Sequence, residues 1–579
     1  MLDLAIASFR MEGGTLIVPG HGRISDSSDL GYYRDMVTIL RDHIQIMISR
    51  GLSLEEIQAA QPTLGYDGRR ESFAKEQLYA ALNEVESDEH DGKKGKKGKD
   101  KHKAPRTYKP EHFINRNRAV RFANMYTGDD PLAPNWDADR RMIRGPLNGS
   151  HGPRHVTTEA DWDYHRPILS GYLAPYEDID VPGVDKSDPL FRVDWTNDEV
   201  YAKILAQINA RMTRNDVPLN MCAASMVTNA YIYTGDEKYK QWVLDYTEAW
   251  MERTEKNGGI CPDNVDANGV IGGGREGVWW GGQYGWNHYQ GYNIMYHGIN
   301  IAVECAQMLT GDSGYLDFLR SQIKVQIHNG RKREDGQLLV PVRYGPEGWD
   351  WNPSPGLHVN DGIEMRGYWL EPTPLRGQDI MHLYHASMAR EDYQLITQVR
   401  DGDVERDWND LGMLGEKNWG NTEFARFQYY DGRNPGWPEQ ILAAEYQQAL
   451  ETYEVMRADE RSHLDIISTN RIPGQPVLTK GLTQVAMGAP QSVYNGGLLR
   501  ATVRYFDADR ARPGLPPDVA ALVDALGPEM VGIQLVNTNH NETRRLIVQA
   551  GAFGEHQFTG LKYREEERGD GRWSGRVLL

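Results

Sequence analysis

The alternation of apolar and polar positions predicts a mainly α-helical protein with a β-rich C-terminal end. Between residues 109 and 474, apolar residues recur at the three- and four-residue spacing of amphipathic helices, separated by loops rich in glycine, proline and aromatic residues. Beyond residue 475, short runs indicate strands: GLTQVAMGAP, LLRATVRYF, MVGIQLVNT, RRLIVQAGAF and HQFTGLKYRE. We therefore expect a β-sandwich-like C-terminal domain over 475–579. Because GRWSGRVLL ends this sequence in strand-like residues, we expect that domain to be truncated here.

Two helical segments repeat each other and suggest how the helices are arranged. Each contains a helix, a Thr-Gly-Asp turn (residues 234–236 and 310–312) and a second helix in which Tyr239 and Tyr315 hold the same place. Glycine commonly ends a helix and aspartate commonly begins one. MYTGDDPLAP, near residue 125, is an imperfect third copy. Because such hairpins must stack to bury their apolar faces, we predict a closed helical toroid.

The first part of the chain has a different pattern. Residues 1–90 begin with an apolar run, Leu16-Ile17-Val18, that ends in Pro-Gly-His-Gly and places His21 in a loop. The segment SDLGYYRDMVTILRDHIQIMISRG then shows helical periodicity. Residues 91–108 consist mainly of glycine, lysine and aspartate, which is typical of a solvated linker. We expect a partial α/β unit joined by this linker to the helical domain.

Charge and composition narrow the function classes. The formal net charge of −18 disfavours a nucleic-acid partner. The sequence contains no apolar run long enough for a membrane span and no recognisable secretion signal, so the default expectation is a cytoplasmic protein. The three cysteines show no metal-ligand spacing and do not suggest disulfides. We expect no cofactor and no catalytic metal; a structural divalent cation and a homo-oligomer stay open.

Residues 258–298 hold the densest group of aromatic residues, set among many glycines. Glycine lets the backbone approach a ligand closely, and indole or phenol rings offer flat apolar faces with a polar edge. A pyranose presents a face of C–H groups that can stack on such rings. The alternative is that each ring simply fills the core between helices. Because so many rings lie together in one glycine-rich stretch, we predict that they form a carbohydrate-binding pocket that includes Trp279, Trp280, Trp286 and Tyr292.

Two further stretches combine aromatic and acidic residues in predicted loops, 344–372 and 407–439. A toroid would gather these loops at one mouth. From these stretches we predict the further substrate-binding residues Trp351, Trp369, Asp410 and Glu423.

Cleavage of a glycosidic bond requires one acidic group to protonate the leaving oxygen and a second carboxylate to activate water or attack the sugar. For these roles we favour Glu364 and Asp361, followed by Asp263. A polysaccharide lyase would instead abstract a proton with tyrosine or histidine, and His288 and Tyr289 fit that role. In either case Arg275 and Arg366 could bind a substrate carboxylate. A non-catalytic glycan-binding protein is the third alternative.

Residues 112–556 resemble (α/α)-toroid carbohydrate-active enzymes in three features: the TGDxxY hairpins, the run GGREGVWWGGQYGW, and GAFGEHQF in a β-rich tail. The resemblance is greatest to glycoside hydrolases that act on glucuronides and related uronic-acid glycans, and then to toroidal polysaccharide lyases. It implies an (α/α)6-type toroid and an oligo- or polysaccharide substrate. The leading hypothesis is a glycoside hydrolase that uses paired carboxylates on an acidic glycan.

Residues 13–70 resemble the C-terminal part of the metallo-β-lactamase superfamily. The features are the strand ending in Pro19-Gly20-His21-Gly22, followed by DLGYYRDM and GLSLEEIQAA. In that family the corresponding histidine is a zinc ligand. The His-x-His-x-Asp-His motif that supplies further ligands is missing from this sequence. Because one histidine cannot hold a catalytic zinc, we predict a vestigial or structural role for His21.

Overall fold

The computed structural model describes residues 16–17, 25–26, 110–130, 135–145, 196–207, 215–280, 285–286, 292–351, 357–360, 363–366, 372–375, 378–411, 421–461, 479–491, 496–510, 512–567 and 573–578. The chain divides into two units. One comprises residues 1–121 and 148–152, and the other comprises residues 122–147 and 153–579.

In the first unit, strands β1 (Leu16–Ile17) and β2 (Ser25–Asp26) pair antiparallel. This pairing confirms the strand predicted before His21, and His21 itself lies outside the described residues. Helix α1 (Pro110–Thr127) carries residues of both units.

The second unit is mainly α-helical, as the sequence pattern predicts. Its described helices after α1 are α2 (Asp198–Gln207), α3 (Ala223–Thr234), α4 (Glu237–Lys256), α5 (Tyr292–Thr310), α6 (Leu316–His328), α7 (Gln378–Ser387), α8 (Arg390–Gly402), α9 (Asn421–Tyr430), α10 (Trp437–Ala458) and α11 (Lys480–Met487). A short 3₁₀ helix, Pro218–Cys222, precedes α3. Among the described helices, none combines the length and the hydropathy that a membrane crossing requires.

The Thr-Gly-Asp turns join helices as predicted. Gly235 ends α3 in the left-handed region with φ 68°, and Asp236 Oδ1 accepts a hydrogen bond of 3.1 Å from Lys238 N at the start of α4. Gly311 repeats the conformation with φ 76°, and Asp312 Oδ1 accepts a bond of 2.8 Å from Gly314 N. Both turns are short enough to make consecutive helices antiparallel neighbours.

Packing separates the helices into an inner and an outer set. The inner helices α3, α5, α7 and α9 contact one another in chain order, and the outer helices α4, α6 and α8 pack against them. The main buried cluster combines side chains from these helices with residues of the connections, Trp286 among them. Val227, Trp250, Ile299 and Leu383 are among its members that have no exposed surface. This order of hairpins is the one a toroid would have, and closure into a ring stays a prediction.

Contacts between the outer helices α4 and α6 establish that they run in the same direction. Tyr315, just before α6, donates a hydrogen bond of 2.7 Å from its hydroxyl group to Glu248 in α4. Cys261, just after α4, donates from its backbone nitrogen to Gln322 Oε1 in the middle of α6, at 2.9 Å. The C-terminal ends of both helices therefore lie at the same end of the bundle.

The long connections lie at that end. They lead from an outer helix to the next inner helix and comprise residues 257–291, 329–377 and 403–420. The second and third of them meet where Val404 N donates a hydrogen bond of 2.9 Å to Gln337 Oε1. The inner-to-outer turns at the opposite end are short, so the described irregular segments between these helices lie mainly at one end of the bundle.

The connection between α6 and α7 contains three β-hairpins where the sequence predicted loops. They are formed by β7 (Arg331–Lys332) with β8 (Leu338–Leu339), β9 (Arg343–Gly345) with β10 (Gly348–Asp350), and β11 (Leu357–Asn360) with β12 (Ile363–Arg366). Two further strand pairs lie nearer the N-terminus: β3 (Trp136–Asp137) with β4 (Met142–Ile143), and β5 (Asn215–Asp216) with β6 (Val265–Asp266).

The C-terminal region contains two antiparallel sheets. One has the strand order β14 (Arg512–Pro513), β13 (Val503–Asp507), β17 (Leu546–Ala550), and the other has the order β15 (Val519–Gly527), β16 (Met530–Asn537), β19 (Trp573–Leu578), β18 (Lys562–Glu567). Buried side chains from both sheets form one cluster: Val503, Tyr505, Val523, Val531 and Ile533.

One predicted strand in this region is wrong. The run GLTQVAMGAP contains helix α11 (Lys480–Met487), which ends at Gly488 with φ 61°. Its buried residues Gly481, Gln484 and Val485 follow helical spacing, and the helix packs against α10 and β15. The β-rich part therefore begins after α11. Strand β15 was missed because its sequence, VAALVDALG, contains alanine and leucine, which favour helices.

Candidate functional site

Five aromatic rings form a continuous cluster at the end of the bundle where the long connections lie. Successive ring centroids are 5.3 Å apart for Trp280 and Trp279, 4.5 Å for Trp279 and Tyr344, 5.1 Å for Tyr344 and Trp349, and 5.0 Å for Trp349 and Trp286. Trp286 is fully buried, whereas the other four rings keep part of their surface exposed. We call these five residues the ring cluster.

Local structure explains how rings from two connections meet. In the β9–β10 hairpin, Tyr344 and Trp349 are directly paired across the strands and therefore share one face. Trp286 Nε1 donates a hydrogen bond of 2.9 Å to the carbonyl oxygen of Cys261, which holds its indole beside the end of α4. The ring cluster thus joins residues 257–291 to residues 329–377.

Asp263 and Asn264 lie in the same connection as the Trp279 and Trp280 rings and are almost completely buried, with exposed fractions of 0% and 1%. Asp263 N donates a hydrogen bond of 3.0 Å to the carbonyl oxygen of Trp279. Asn264 Nδ2 donates to Asp263 Oδ1 at 2.9 Å and to the carbonyl oxygen of Val278 at 3.2 Å. A buried carboxyl group therefore lies directly beside the ring cluster.

The glycines around Asp263 are required by close backbone approaches. A Cβ at position 285 would lie 2.2 Å from Asp263 Cβ, so only glycine allows the chain to cross this side chain. A Cβ at position 272 would lie 2.8 Å from the backbone carbon of Gly277. Glu276, in the same tight loop, has φ 57° without being a glycine. Strained backbone of this kind is concentrated at functional sites.

Asp216 of β5, which pairs with Val265 directly after Asn264, is the centre of a separate group of buried hydrogen bonds. Its Oδ1 accepts hydrogen bonds of 2.8 Å from Asn220 and from the Tyr246 hydroxyl group, and its Oδ2 accepts from Ile143 N and from Arg253. Burial raises the pKa of Asp216 to about 6, although Arg253 and the two side-chain donors counteract it. With its oxygens satisfied from several elements, Asp216 holds strand β5 and, through it, β6 in place.

A second group of polar residues lies between the inner helices. We call it the inner polar cluster, and it consists of Glu304 in α5, His382 and His385 in α7, and Glu423 and Arg426 in α9. His385 is partly buried, and the other four side chains are buried. His382 Nδ1 lies 3.2 Å from Glu304 Oε1, and Arg426 Nη2 donates to Glu423 Oε2 at 2.7 Å. The inner helices α5, α7 and α9 therefore each contribute at least one ionisable side chain to the interior.

The inner polar cluster is also bonded to α11 and to the chain that follows it. Glu423 Oε1 accepts hydrogen bonds from Gln484 Nε2 at 2.6 Å and from Gln491 N. His385 Nε2 lies 2.9 Å from the carbonyl oxygen of Arg500. Burial and the nearby Arg426 guanidinium hold the pKa of His385 well below its usual value, so this ring is neutral.

Glu423 was predicted as a substrate-binding residue in a loop, whereas Glu304 and the histidines of this cluster were not predicted. A signal was present, because polar residues at 379, 382 and 385 and at 423 and 426 repeat at helical spacing among apolar neighbours.

The structure brings some predicted site residues together and separates others. Trp279, Trp280, Trp286 and Asp263 lie in or beside the ring cluster, and Arg275 is tied to it by a hydrogen bond from its Nη1 to the carbonyl oxygen of Trp280. Tyr344 was not predicted as a binding residue, although it begins one of the two further aromatic-acidic stretches.

Three predicted residues lie elsewhere in the described structure. Trp351 packs under the guanidinium of Arg331, at 4.2 Å from carbon to ring centroid, and has no described ring contact with the cluster. Asp410 is exposed in the connection that follows α8, and Glu423 belongs to the inner polar cluster. The backbone alone is described for Tyr292, Glu364 and Arg366; His288, Tyr289, Asp361 and Trp369 lie outside the described residues.

Within the described ranges, no three histidine, cysteine, aspartate or glutamate side chains are grouped as ligands of a metal ion would be. The three cysteines are buried as free thiols, and burial raises the pKa of Cys261 to about 12. The thiol groups are therefore protonated and unreactive at neutral pH.

Comparison with known proteins gives one family match. The family described as "Domain of unknown function (DUF8034)" matches residues 106–483. No curated protein matches the chain.

Among solved structures, the chain is similar to the GH76A alpha-1,6-mannanase from Salegentibacter sp. HEL1_6, with 12% identity over 58% of this chain and 88% of that one and a TM-score of 0.23. A second match is an inactive variant of that enzyme in complex with alpha-1,6-mannotetrose, with 11% identity, coverage of 58% and 87%, and a TM-score of 0.22. None of the comparisons supports the predicted uronic-acid substrate or the metallo-β-lactamase-like segment, and both stay predictions.

Proposed function

We propose that this chain, which belongs to the DUF8034 family, is a glycoside hydrolase that binds a glycan at the ring cluster and uses Asp263 as one catalytic carboxyl group. The observation that carries the proposal is the meeting of five aromatic rings from two separate connections beside a buried aspartate.

The ring cluster has the chemistry that sugar binding requires. Trp279, Trp280, Tyr344 and Trp349 combine packed edges with partly exposed surface, so they can stack on the C–H face of a pyranose while staying in place. Packing of each ring against its neighbours restricts its rotation, which lowers the entropy lost when a ligand binds. A site fixed before the substrate arrives is what a hydrolase needs for orientation.

Asp263 has surroundings suited to a general acid. Asp263 is fully buried, and a buried carboxyl group loses the water that would stabilise its charge, so that a proton kept on it can be donated to a leaving oxygen. The second carboxylate of a hydrolase lies on the other side of the scissile bond. Glu364 and Asp361 remain our predictions for that role, and the β11–β12 hairpin that carries Glu364 belongs to the same connection as Tyr344 and Trp349.

The finer part of the proposal is an acidic glycan. Arg275 and Arg366 are the predicted partners of a uronate carboxylate, and the structure describes Arg275 next to Trp280. Bidentate binding of a carboxylate by arginine would favour uronic-acid chains over neutral ones. Mannans and other neutral glycans are therefore the necessary comparison in any substrate panel.

The test is the release of reducing ends from matched panels of neutral and uronic-acid oligosaccharides. We expect Asp263→Asn to lower kcat by at least about 100-fold, the size of a lost general acid, while binding of the same glycan persists. The control is Asp401→Asn, an exposed position on α8 that lies outside both clusters, and it should match the wild type.

Two outcomes would replace this proposal. Cleavage that produces ultraviolet absorbance from a conjugated double bond would identify a lyase, in which His288 and Tyr289 become the residues to examine. Glycan binding that Trp279→Ala abolishes, without cleavage of any substrate in the panel, would identify a non-catalytic binding protein.

A further inference from the structure

We infer that Asn264 is a positioning residue for Asp263, because its side-chain amide holds the Asp263 carboxyl group in one orientation beside the ring cluster. This inference rests on the proposed function, in which Asp263 acts on a glycosidic bond.

The hydrogen bonds of Asn264 determine the orientation of its amide. The two partners of Nδ2 are Asp263 Oδ1, at 2.9 Å, and the carbonyl oxygen of Val278, at 3.2 Å. Both partner atoms accept hydrogen bonds, so the nitrogen rather than the oxygen of the amide must face them. Its two hydrogens are thereby divided between the carboxyl group and the backbone just before Trp279. Asn264 therefore links the acid to the segment that carries the first rings of the cluster.

The backbone on either side of this pair is also held in place. Asn264 accepts a hydrogen bond of 3.1 Å at its carbonyl oxygen from Gly272 N, and Val265 pairs with Asp216 in the β5–β6 ladder. On the other side, Cys261 N is bonded to Gln322 in α6. A side chain on such a support can hold its neighbour within the small tolerance that catalysis needs. Asn264 is thus fixed itself and able to fix Asp263.

An amide and a carboxyl group have nearly the same shape, which provides a sharp substitution. Asn264→Asp keeps the volume but replaces the donor with a second acid next to Asp263. Two carboxyl groups at hydrogen-bond distance cannot both ionise easily, so they share a proton over a wide pH range. The pair then retains a proton at higher pH than Asp263 does beside an amide.

The first experiment compares the pH dependence of kcat and KM for the wild type, Asn264→Asp and Asn264→Ala. We expect N264D to move the pH limb that reports Asp263 upward by about one pH unit or more, with KM changed by less than about twofold. N264A should lower kcat by about 10-fold or more without moving that pH limb upward. The matched control is Asn268→Asp, in an exposed turn of the same connection, whose profile should coincide with that of the wild type.

A second measurement does not depend on activity. The shared proton should make the melting temperature of N264D fall more between pH 5 and pH 8 than that of the wild type or N268D, by at least about 2 °C. If the wild type cleaves no glycan but this extra fall is seen, the contact is supported and the proposed hydrolase function fails. If the wild type is active and N264D has the same kcat and the same pH profile as the wild type, the positioning role is overturned. If the wild type is inactive and N264D shows no extra fall in melting temperature, the positioning role is overturned as well.

Discussion

His382 Nδ1 lies 3.2 Å from Oε1 of Glu304, so a buried contact between a histidine and a carboxylate joins the inner helices α5 and α7. The other ring nitrogen, Nε2, lies 2.5 Å from the carbonyl oxygen of Gln491. Both partner atoms are acceptors, and an imidazole ring can donate from both nitrogens when it is protonated. The geometry therefore favours a positively charged His382 in the centre of the helical region.

The charge on His382 predicts a loss of stability toward alkaline pH. Burial alone would lower the pKa of His382, but the charges of Glu304, Glu423 and Asp379 outweigh it and raise the pKa above the usual 6.5. The stabilising contribution is therefore complete below about pH 6.5 and is lost as the pH rises through the higher folded-state value. Urea unfolding between about pH 5.5 and 9 should show this decline in the wild type and a smaller decline in His382→Gln. An unchanged slope in the variant would contradict the assignment.

His385 should behave in the opposite way and serves as the internal comparison. Burial and Arg426 lower its pKa well below the usual value, while its Nε2 remains bonded to the carbonyl oxygen of Arg500. The unfolded chain takes up a proton at this position below about pH 6.5 and the folded chain does not, so stability is lost as the pH falls. In the same urea series, His385→Gln should make the acid side of the stability curve shallower. If His382→Gln and His385→Gln changed the acid and the alkaline sides of the stability curve equally, both predictions would be wrong.

Replacing one member of the Glu423–Arg426 pair should lower the free energy of unfolding much more than replacing both members together. Both side chains are almost fully buried, and the distance from Arg426 Nη2 to Glu423 Oε2 is 2.7 Å. Arg426→Met leaves a buried carboxylate with uncharged donors only, and we expect it to lower the free energy of unfolding by about 3 to 5 kcal/mol. The double variant E423Q/R426M should lower the free energy of unfolding by clearly less than Arg426→Met alone. A double-mutant cycle from urea unfolding measures the difference, and additive losses would show that the pair is not coupled.

Gly298 should tolerate no side chain, even though it lies inside a helix where alanine is normally preferred. A Cβ there would lie 2.2 Å from the carbonyl oxygen of Pro218, a backbone atom that cannot rotate away. We expect Gly298→Ala to lower the free energy of unfolding by about 3 kcal/mol, which is typical of a core that is forced apart. Gly235→Ala is the control: no atom obstructs it, and only its φ of 68° opposes it, at about 1 kcal/mol. Equal losses, measured by chemical denaturation, would contradict this packing argument.

Glycan affinity should distinguish Trp279 from Trp351. Trp279 lies within the ring cluster, 4.5 Å from the ring of Tyr344, whereas Trp351 packs under Arg331. If substrate stacks on the cluster, Trp279→Ala should weaken binding by at least about tenfold, equivalent to about 1.4 kcal/mol. Trp351→Ala should change affinity by less than about threefold. Calorimetric titration of both variants with the glycan that the wild type binds measures the two affinities. A larger loss of affinity in Trp351→Ala than in Trp279→Ala would locate the binding site away from the ring cluster.

The sequence was most informative where local rules determine the structure. The Thr-Gly-Asp turns were predictable because Gly235 and Gly311 adopt a backbone conformation that favours glycine, and because Asp236 and Asp312 have backbone donors within reach. Strands β13, β16 and β17 followed from their alternating or β-branched residues. α11 was predicted as a strand because its contacts with α10 and β15 are not visible locally.

The candidate site was predictable only in part. The density of tryptophan among glycines drew attention to Trp279, Trp280 and Trp286, but pairing with Tyr344 depends on a hairpin from another connection. The partnership of Glu304 with His382 joins residues far apart in the chain and had no local signature. Neither contact follows from spacing along one segment, because each is created by the order in which the helical hairpins pack.

The short turns at 235–236 and 311–312 are suitable places to attach a label or a surface linker. A Cβ added at Gly235 or Gly311 meets no atom within 4 Å, so a fluorophore or a surface linker attached through a neighbouring exposed position such as Glu237 would have room. An immobilised molecule tethered there would present its ring cluster to the bathing solution. Biosensor measurements of carbohydrate capture could then proceed without the tether competing for the same end.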